Sequence, residues 1–258
     1  MQQITHINTR PRFLNEEITY PDSDGEPMAE NTKQFEIISM LHGGIDSLYN
    51  DRDDVFVAGD LFWYPVEGNN KLRLAPDVMV VFGRPRGHRG SYMQWKEEDI
   101  APQVVIEVLS PSNRPAEMMD KLDFYDTYGV EEYLMYDPET LALKIWRRTG
   151  GYLRLAHEEE RPHSVHMNLS FHTEDGELVI TRHDGRRFET FRQLFSRAEM
   201  QHHALVLEQE RAEQEKQRAE QEKQRAEQEK QRAERLAAQL RAAGIVPDDG
   251  DAAHTKNG

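Results

Sequence analysis

The sequence predicts a mixed α/β core followed by a charged C-terminal helix. Two short segments, residues 77–82 and 103–109, have the nearly continuous apolar composition of buried strands. Segments with helical spacing of their apolar residues lie before and after them, at residues 29–49 and 115–129. A seven-residue repeat of charged side chains stands near the end of the chain. The order helix, strands, helix, strands is typical of an α/β core.

The first helix is predicted from apolar residues that recur three or four positions apart. They would form one buried face, and they are Phe35, Ile38, Leu41, Ile45 and Leu48. Turn-forming residues at 21–27 precede this helix. Strand-like residues follow it at 55–60 and 61–64, interrupted by Gly59.

Two acidic residues accompany the predicted buried strands. Asp77 follows Pro76 and opens the run at residues 77–82, whereas Glu107 lies inside the apolar segment at 103–109. An isolated carboxylate in a low-dielectric interior takes up a proton rather than remaining charged. We therefore favour a bound metal ion as the reason for a glutamate in the middle of such a strand.

A lysine follows on the next helix, which is predicted to begin at Pro115 and to end at Gly129. Lys121 shares one face of that helix with four apolar or aromatic residues, namely Met118, Leu122, Tyr125 and Tyr128. Its side chain could simply extend along this face to reach water. Its position directly after the strand that bears Glu107 favours a site instead.

Two carboxylates and a lysine are groups that phosphodiester cleavage uses. The carboxylates hold divalent ions, which neutralise the phosphate and activate a water. The ammonium group stabilises the charge that develops on the phosphate or orients the attacking water. This combination indicates a nuclease.

Five short motifs carry a resemblance to a known family. They are Pro76-Asp77, Ile106-Glu107-Val108-Leu109-Ser110-Pro111-Ser112, Lys121 with Tyr125, Gly129-Val130-Glu131-Glu132-Tyr133, and Tyr136-Asp137-Pro138. In this order they resemble the Uma-type restriction endonucleases of bacteria, a branch of the PD-(D/E)XK nuclease superfamily, over residues 18–195. The superfamily pattern has its lysine two residues after the second acid, where this chain has Leu109. The resemblance implies that Lys121 takes that role from the following helix.

The resemblance implies a restriction-endonuclease-like fold, with a mixed central sheet flanked by helices and the site at one end of the sheet. It also implies a DNA endonuclease that uses Mg²⁺ or Mn²⁺. Asp77 and Glu107 would be the metal ligands, and Lys121 the charge-stabilising or water-orienting group. Glu30 matches an acidic position that joins the site in some members, although the helix dipole alone also favours an acid in a first helical turn.

Further strands and a long helix complete the predicted organisation. Residues 132–137 and 141–147 are predicted to form a hairpin, and residues 178–181 another strand. We expect a nuclease-like domain at residues 1–200, the repeat helix at residues 201–243 and a disordered tail at residues 244–258.

The repeat Arg-Ala-Glu-Gln-Glu-Lys-Gln occurs three times between residues 211 and 231 and has the period of a coiled coil. One heptad position is apolar and holds Leu205, Ala212, Ala219, Ala226, Ala233 and Leu240. The partner position holds glutamate until Leu236. Oppositely charged residues three and four apart could stabilise a single helix instead. The pattern leaves open a weak homodimeric coil and a solitary solvated helix, either of which would end near Gly244 and Pro247.

The net charge of −15 argues against binding of DNA through a general basic surface. Residues 208–241 hold nine acidic and nine basic side chains, so the surplus of acid lies elsewhere in the chain. Our candidate for a local basic cluster consists of Arg84, Arg86, His88, Arg89 and Lys96. A solvated loop rich in arginine and glycine is the alternative.

Composition and motifs argue against several other classes. The chain has no cysteine, and therefore no disulfide or thiolate site. The histidines lack zinc-site spacing, residues 83–87 lack a phosphate-binding pattern, and the serines after the Glu107 strand lack a nucleophile elbow. Asp60 is more typical of a turn than of a third acid in the site. With neither a signal-peptide core nor an apolar run of the ~20 residues that span a bilayer, we expect a soluble cytoplasmic protein without a membrane partner.

Two functions remain open at this point. A nuclease explains the set of two acids and a lysine, since a scaffold needs no charge on a buried strand. The alternative is a non-catalytic nuclease-fold binding or scaffold protein that acts through its C-terminal helix. The acidic surface and the repeat favour that alternative.

Overall fold

The structure, a computed structural model, describes residues 18–22, 31–156 and 162–244. Its helices are α1 (Thr32–Leu48), α2 (Pro115–Thr127) and α3 (Phe191–Ala242), and a short 3₁₀ helix spans Gln94–Lys96. Its strands are β1 (Val55–Ala58), β2 (Trp63–Tyr64), β3 (Val78–Phe82), β4 (Tyr92–Met93), β5 (Val104–Val108), β6 (Glu132–Asp137), β7 (Ala142–Thr149), β8 (Tyr152–Leu155), β9 (His163–Ser164), β10 (Leu169–Glu174) and β11 (Glu177–Arg182).

Six strands form a central mixed sheet in the order β1, β3, β5, β6, β7, β8. The neighbours β5 and β6 run parallel and the other neighbours antiparallel. The chain passes from β5 to β6 through α2, because a tight turn cannot join parallel strands. Strands β9 to β11 form a second sheet, and β2 pairs with β4. This mixed sheet, flanked by helices and followed by a long C-terminal helix, confirms the predicted fold class.

Each face of the central sheet is covered by one hydrophobic cluster. Ile106 of β5 belongs to the cluster that contains Ile38 and Leu41 of α1. Its neighbour Val105 belongs to the cluster that contains Tyr125 of α2. Side chains of a strand alternate between the two faces. The position of a residue along β5 therefore decides which helix it meets.

The first turn of α1 differs from its prediction. The side chain of Asn31 caps the helix by accepting a hydrogen bond from the backbone N–H of Gln34 at 2.8 Å. The predicted burial of Phe35 is wrong, since that residue is 52% exposed. Gln34 takes the buried position, and its Nε2 donates to the carbonyl oxygen of Val108 at 2.8 Å. The prediction considered only apolar residues, so it assigned Phe35 to the buried face and missed Gln34.

The predicted end of α2 and the predicted hairpin are confirmed. Gly129 follows α2 with a φ of +96°, in the left-handed region that glycine enters without strain. Strands β6 and β7 pair antiparallel, from Glu132 with Arg147 to Asp137 with Ala142. Strands β4, β8, β9 and β10 were not predicted. Two of them, β4 and β9, have only two residues each, which is too short for a periodic pattern.

Glu132 is a second buried glutamate of the central sheet, with 1% exposure. Its carboxylate accepts hydrogen bonds from the hydroxyl of Ser164 and from the backbone N–H groups of Val165 at 2.8 Å and His166 at 3.3 Å. The Nε of Arg147 lies 3.4 Å from the same carboxylate. These donors satisfy the buried charge. Glu132 therefore links β6 to the second sheet, and its burial needs no metal ion.

The chain divides into two compact units between Leu194 and Phe195. From residue 195 onwards α3 has no buried side chain, and the helix runs through all three repeats before Gly244, which has a φ of +74°. Whether this helix pairs with a second copy stays a prediction. So do the domain boundary at residue 200 and the disordered tail, most of which lies outside the described residues.

Across residues 18–22, 31–156 and 162–244, no helix is both long enough and apolar enough to cross a membrane.

Candidate active site

The antiparallel pairing of β3 with β5 brings Asp77 and Glu107 together. The register pairs Val78 with Ile106, so its continuation by one residue sets Asp77 opposite Glu107. The backbone N–H of Val108 donates to Oδ2 of Asp77 at 2.6 Å. This bond holds the aspartate at the end of β5, just before its own strand begins.

Helix α2 supplies two side chains that bind the carboxylate of Glu107. Nζ of Lys121 lies 2.9 Å from Oε2, and the hydroxyl of Tyr125 donates to Oε1. The two residues are four positions apart and therefore share one face of the helix. Both contacts are screened little by water, because the side chain of Glu107 is only 3% exposed and that of Lys121 only 18%. Each oxygen of Glu107 thus has a protein donor and keeps a further lone pair.

The electrostatics of the site show that two acids compete for one cationic partner. Burial is the main cause that raises the pKa of Asp77 to about 8, and the adjacent charge of Glu107 is the second. Burial also acts against the charge of Lys121, but the carboxylates of Glu107 and Asp77 outweigh it and raise the pKa of Lys121. The ammonium group therefore stays protonated and offsets one of the two carboxylates.

The donor set suits a divalent cation with oxygen ligands. When both acids are ionised, the two carboxylates and the one ammonium group have a net negative charge. Within the described ranges, no three side chains among histidine, aspartate and glutamate converge on one point. Mg²⁺ is commonly bound by one or two carboxylates, with waters or substrate phosphates completing its coordination. Asp77 and Glu107 fit this pattern and would not form a closed cage.

Two further acids were considered from the sequence. Glu30 lies outside the described residues. Asp60 is exposed, has a φ of 48°, and donates its backbone N–H to the carbonyl of Pro76 at 3.0 Å. Its charge makes a minor contribution to the raised pKa of Asp77. Asp60 therefore lies near the site at a turn, which is the role that the sequence favoured.

The basic residues between the two acid-bearing strands are largely paired with acids. Arg84 and Arg89 both bind Glu97, at 2.9 Å and 2.7 Å. Arg86 binds Asp46 of α1 at 2.5 Å. These three arginines therefore stabilise the loop and its attachment to α1, and they form neither a free basic cluster nor a fully solvated loop. Their charges are already offset within the chain.

Three residues of the site have roles that the sequence did not reveal. Gln34 binds the carbonyl of Val108, Tyr125 binds Glu107, and Tyr133 lies buried next to Tyr125. Of these three, only Tyr125 could have been assigned to the site from the sequence, because it stands four residues after Lys121 on the face that meets the sheet. The other two depend on contacts between segments far apart in sequence.

Comparisons with known proteins agree with a nuclease fold family. A family model described as "Putative restriction endonuclease" (Uma2) matches residues 10–174, which is more than half of the chain. Among solved structures, a putative nuclease belonging to DUF820 from Anabaena variabilis is 18% identical, with a TM-score of 0.39. That match covers 52% of this chain and 71% of the other, and it is too distant to support an argument about the site. No curated protein matches the chain.

We predict that the metal-free protein loses stability as the pH rises. The unfolded chain binds a proton at Asp77 with a pKa near 3.8, whereas the folded chain binds it with a pKa of about 8. Between these values the folded state holds the extra proton, so its stability is greatest at the acid end of the window and falls towards pH 8. Urea denaturation in the presence of a chelator, from pH 5 to pH 8, would measure this loss.

Asp77→Asn provides the reference for that measurement, because asparagine has a similar shape and does not titrate. We expect the wild type to lose stability relative to Asp77→Asn as the pH rises. A difference in stability between the two proteins that stays constant over the whole range would contradict a raised pKa of Asp77 in the folded state.

Proposed function

The chain belongs to the Uma2 family of putative restriction endonucleases, and we propose that it hydrolyses phosphodiester bonds of DNA with the help of a divalent metal ion. The observation that supports this most strongly is the environment of Glu107. This carboxylate is buried beside a second acid and bound by Lys121 and Tyr125. Glu132 on the next strand has a full set of donors, whereas burial and the charge of Glu107 raise the pKa of Asp77 to about 8, so the two acids of this pair do not both ionise near neutral pH without a further cation.

In this proposal Asp77 and Glu107 hold Mg²⁺ or Mn²⁺. The ion, when bound, supplies positive charge that polarises the phosphate and lowers the pKa of a water molecule. The chain orients both carboxylates before a ligand arrives. The N–H of Val108 fixes one oxygen of Asp77, while Tyr125 and Lys121 fix those of Glu107.

Lys121 would stabilise the negative charge that develops on the phosphate. Its side chain is more exposed than that of Glu107, at 18% against 3%. The raised pKa of Lys121 keeps this group protonated at neutral pH. It is therefore suited to bind an oxyanion and is unsuited to accept a proton as a general base.

The acidic character of the chain limits how DNA would be bound. A net charge of −15 repels a polyanion, and the arginines of the 84–89 loop are paired with acids. We therefore propose that attraction to the phosphate is local to the site and depends on its cation. A homodimer joined through α3, which has no buried side chain from residue 195 onwards, would carry two such sites.

We predict that Glu107→Ala and Lys121→Met both lose metal-dependent cleavage. The first removes a ligand of the cation. The second keeps the apolar stem and deletes only the charge, which is worth roughly 3 kcal/mol of transition-state stabilisation, or about 100-fold in rate. The measurement is the rate at which purified full-length protein cuts plasmid and short duplex DNA in Mg²⁺ or Mn²⁺.

Asp123→Ala is the matched control for both variants, because Asp123 is an exposed acid on α2 outside the site. It should cut at the wild-type rate. A Lys121→Met variant that cuts equally fast would show that Lys121 only packs against the sheet. Absence of any cleavage by the wild type in either metal would instead favour a binding or scaffold protein that acts through α3.

For the repeat helix we predict weak self-association. Deletion of residues 211–258 should leave the first unit folded, because the repeat has no broad apolar face with which to pack on it. Alanine at the apolar heptad position buries little area, and the glutamates at the partner position repel each other. We therefore expect a dissociation constant in the micromolar range or weaker, which corresponds to a binding free energy of about 8 kcal/mol or less in magnitude. Sedimentation at several concentrations and salt levels would measure it.

The full-length protein should show a concentration-dependent dimer and the truncated protein less association. Equal mass distributions for the two proteins across the whole concentration range would contradict pairing. They would support a solitary charged helix that serves as a spacer or tether.

A further inference from the structure

Tyr133 has a buried hydroxyl group without a hydrogen-bond partner. The residue lies on β6 with 0% exposure, and within the described part of the chain no donor or acceptor contacts its Oη. Buried polar groups are nearly always paired with protein atoms or with ordered water. An unpaired hydroxyl in a native fold therefore points to a bound molecule that satisfies it.

This hydroxyl belongs to the same side of the sheet as the candidate active site. The parallel register pairs Tyr133 of β6 with Val105 of β5. Glu107 lies two residues after Val105, so Tyr133, Val105 and Glu107 point to the same face of the sheet. The ring of Tyr133 contacts the ring of Tyr125, with centroids 5.0 Å apart. The hydroxyl of Tyr125 in turn binds Glu107.

The charges of the site act directly on Tyr133. Burial raises the pKa of its hydroxyl, and the carboxylates of Glu107 and Asp77 raise it further. The group is therefore a neutral O–H donor at neutral pH. The hydroxyl is thus within the electrostatic influence of both carboxylates, while its ring packs against those of Tyr125 and Trp146.

We propose that the hydroxyl of Tyr133 donates a hydrogen bond to a water molecule held at the Asp77 and Glu107 pair, and that Tyr133 is a positioning residue of the active site. Water fits this place better than a phosphodiester because Tyr133 is wholly enclosed, whereas a phosphodiester is large and must enter from solvent. The inference rests on the proposed nuclease function.

The comparison of Tyr133 with Tyr125 makes the proposal testable. Both rings are fully buried in the same aromatic cluster, and phenylalanine preserves the packing of either one. The hydroxyl of Tyr125 is used inside the protein, where it binds Glu107. That of Tyr133 has no such use among the described residues, although its ring stacks on Trp146 with centroids 5.0 Å apart. Removing the two hydroxyls should therefore have different effects.

The experiment compares Tyr133→Phe and Tyr125→Phe with the wild type as full-length proteins. We measure the melting temperature in chelator, the affinity for Mn²⁺ by calorimetry, and the rate of DNA cleavage. Tyr133→Phe should melt within a degree or two of the wild type, bind Mn²⁺ about tenfold more weakly and cut about tenfold more slowly. Tyr125→Phe should melt at a lower temperature, because it leaves a buried carboxylate oxygen without its donor.

Each other outcome contradicts the proposal in a distinguishable way. Wild-type affinity and cleavage in Tyr133→Phe would show that the hydroxyl has no role and that only the ring matters. A large fall in its melting temperature in chelator would show that the hydroxyl is bonded inside the protein. A wild type that binds no Mn²⁺ would overturn the nuclease proposal itself, and with it the role of Tyr133.

Discussion

The structure of the candidate site depends on the antiparallel pairing of β3 with β5. This pairing sets Asp77 opposite Glu107 and ties the aspartate to the N–H of Val108 at 2.6 Å. Burial of Asp77 and, after it, the neighbouring charge of Glu107 raise the pKa of Asp77. Such an arrangement costs stability in the metal-free protein. A divalent cation between the two acids would offset that cost, which links the stability of the site to its function.

Helix α2 prepares the site through aromatic packing. Tyr125 stacks parallel to Trp63, with an interplanar angle of 4° and centroids 6.3 Å apart, and this packing fixes the direction of its hydroxyl. The same helix carries Lys121 one turn earlier, so both donors reach Glu107 as one rigid unit. Side chains that are held by packing lose little freedom when a ligand binds. The aromatic cluster around Tyr125 therefore orients the donors of the site and also forms part of the hydrophobic core.

The sequence singles out Asp77, Glu107 and Lys121 as candidates because charged residues are rare in apolar strands and on apolar helix faces. The same argument applied to Glu132 would have been misleading, since that buried glutamate is satisfied by donors from β9 and the residues after it. Gln34 and Tyr133 could not be recognised, because their roles arise only when α1 and β6 pack beside β5. The pairing of the loop arginines with Glu97 and Asp46 likewise depends on tertiary contacts, which the sequence alone does not show. Local patterns thus gave the three charged candidates, which the fold brings together. The contacts that surround them could be read only from the fold.

The central claim is that Asp77 and Glu107 act together as one cation site. It is tested most directly by calorimetric titration of Mn²⁺ into the metal-free wild type, Asp77→Asn, Glu107→Gln and the double variant. Because two ligands of one ion act as a unit, each single variant should lose about as much affinity as the double variant. Undiminished affinity for Mn²⁺ in either single variant would contradict the claim.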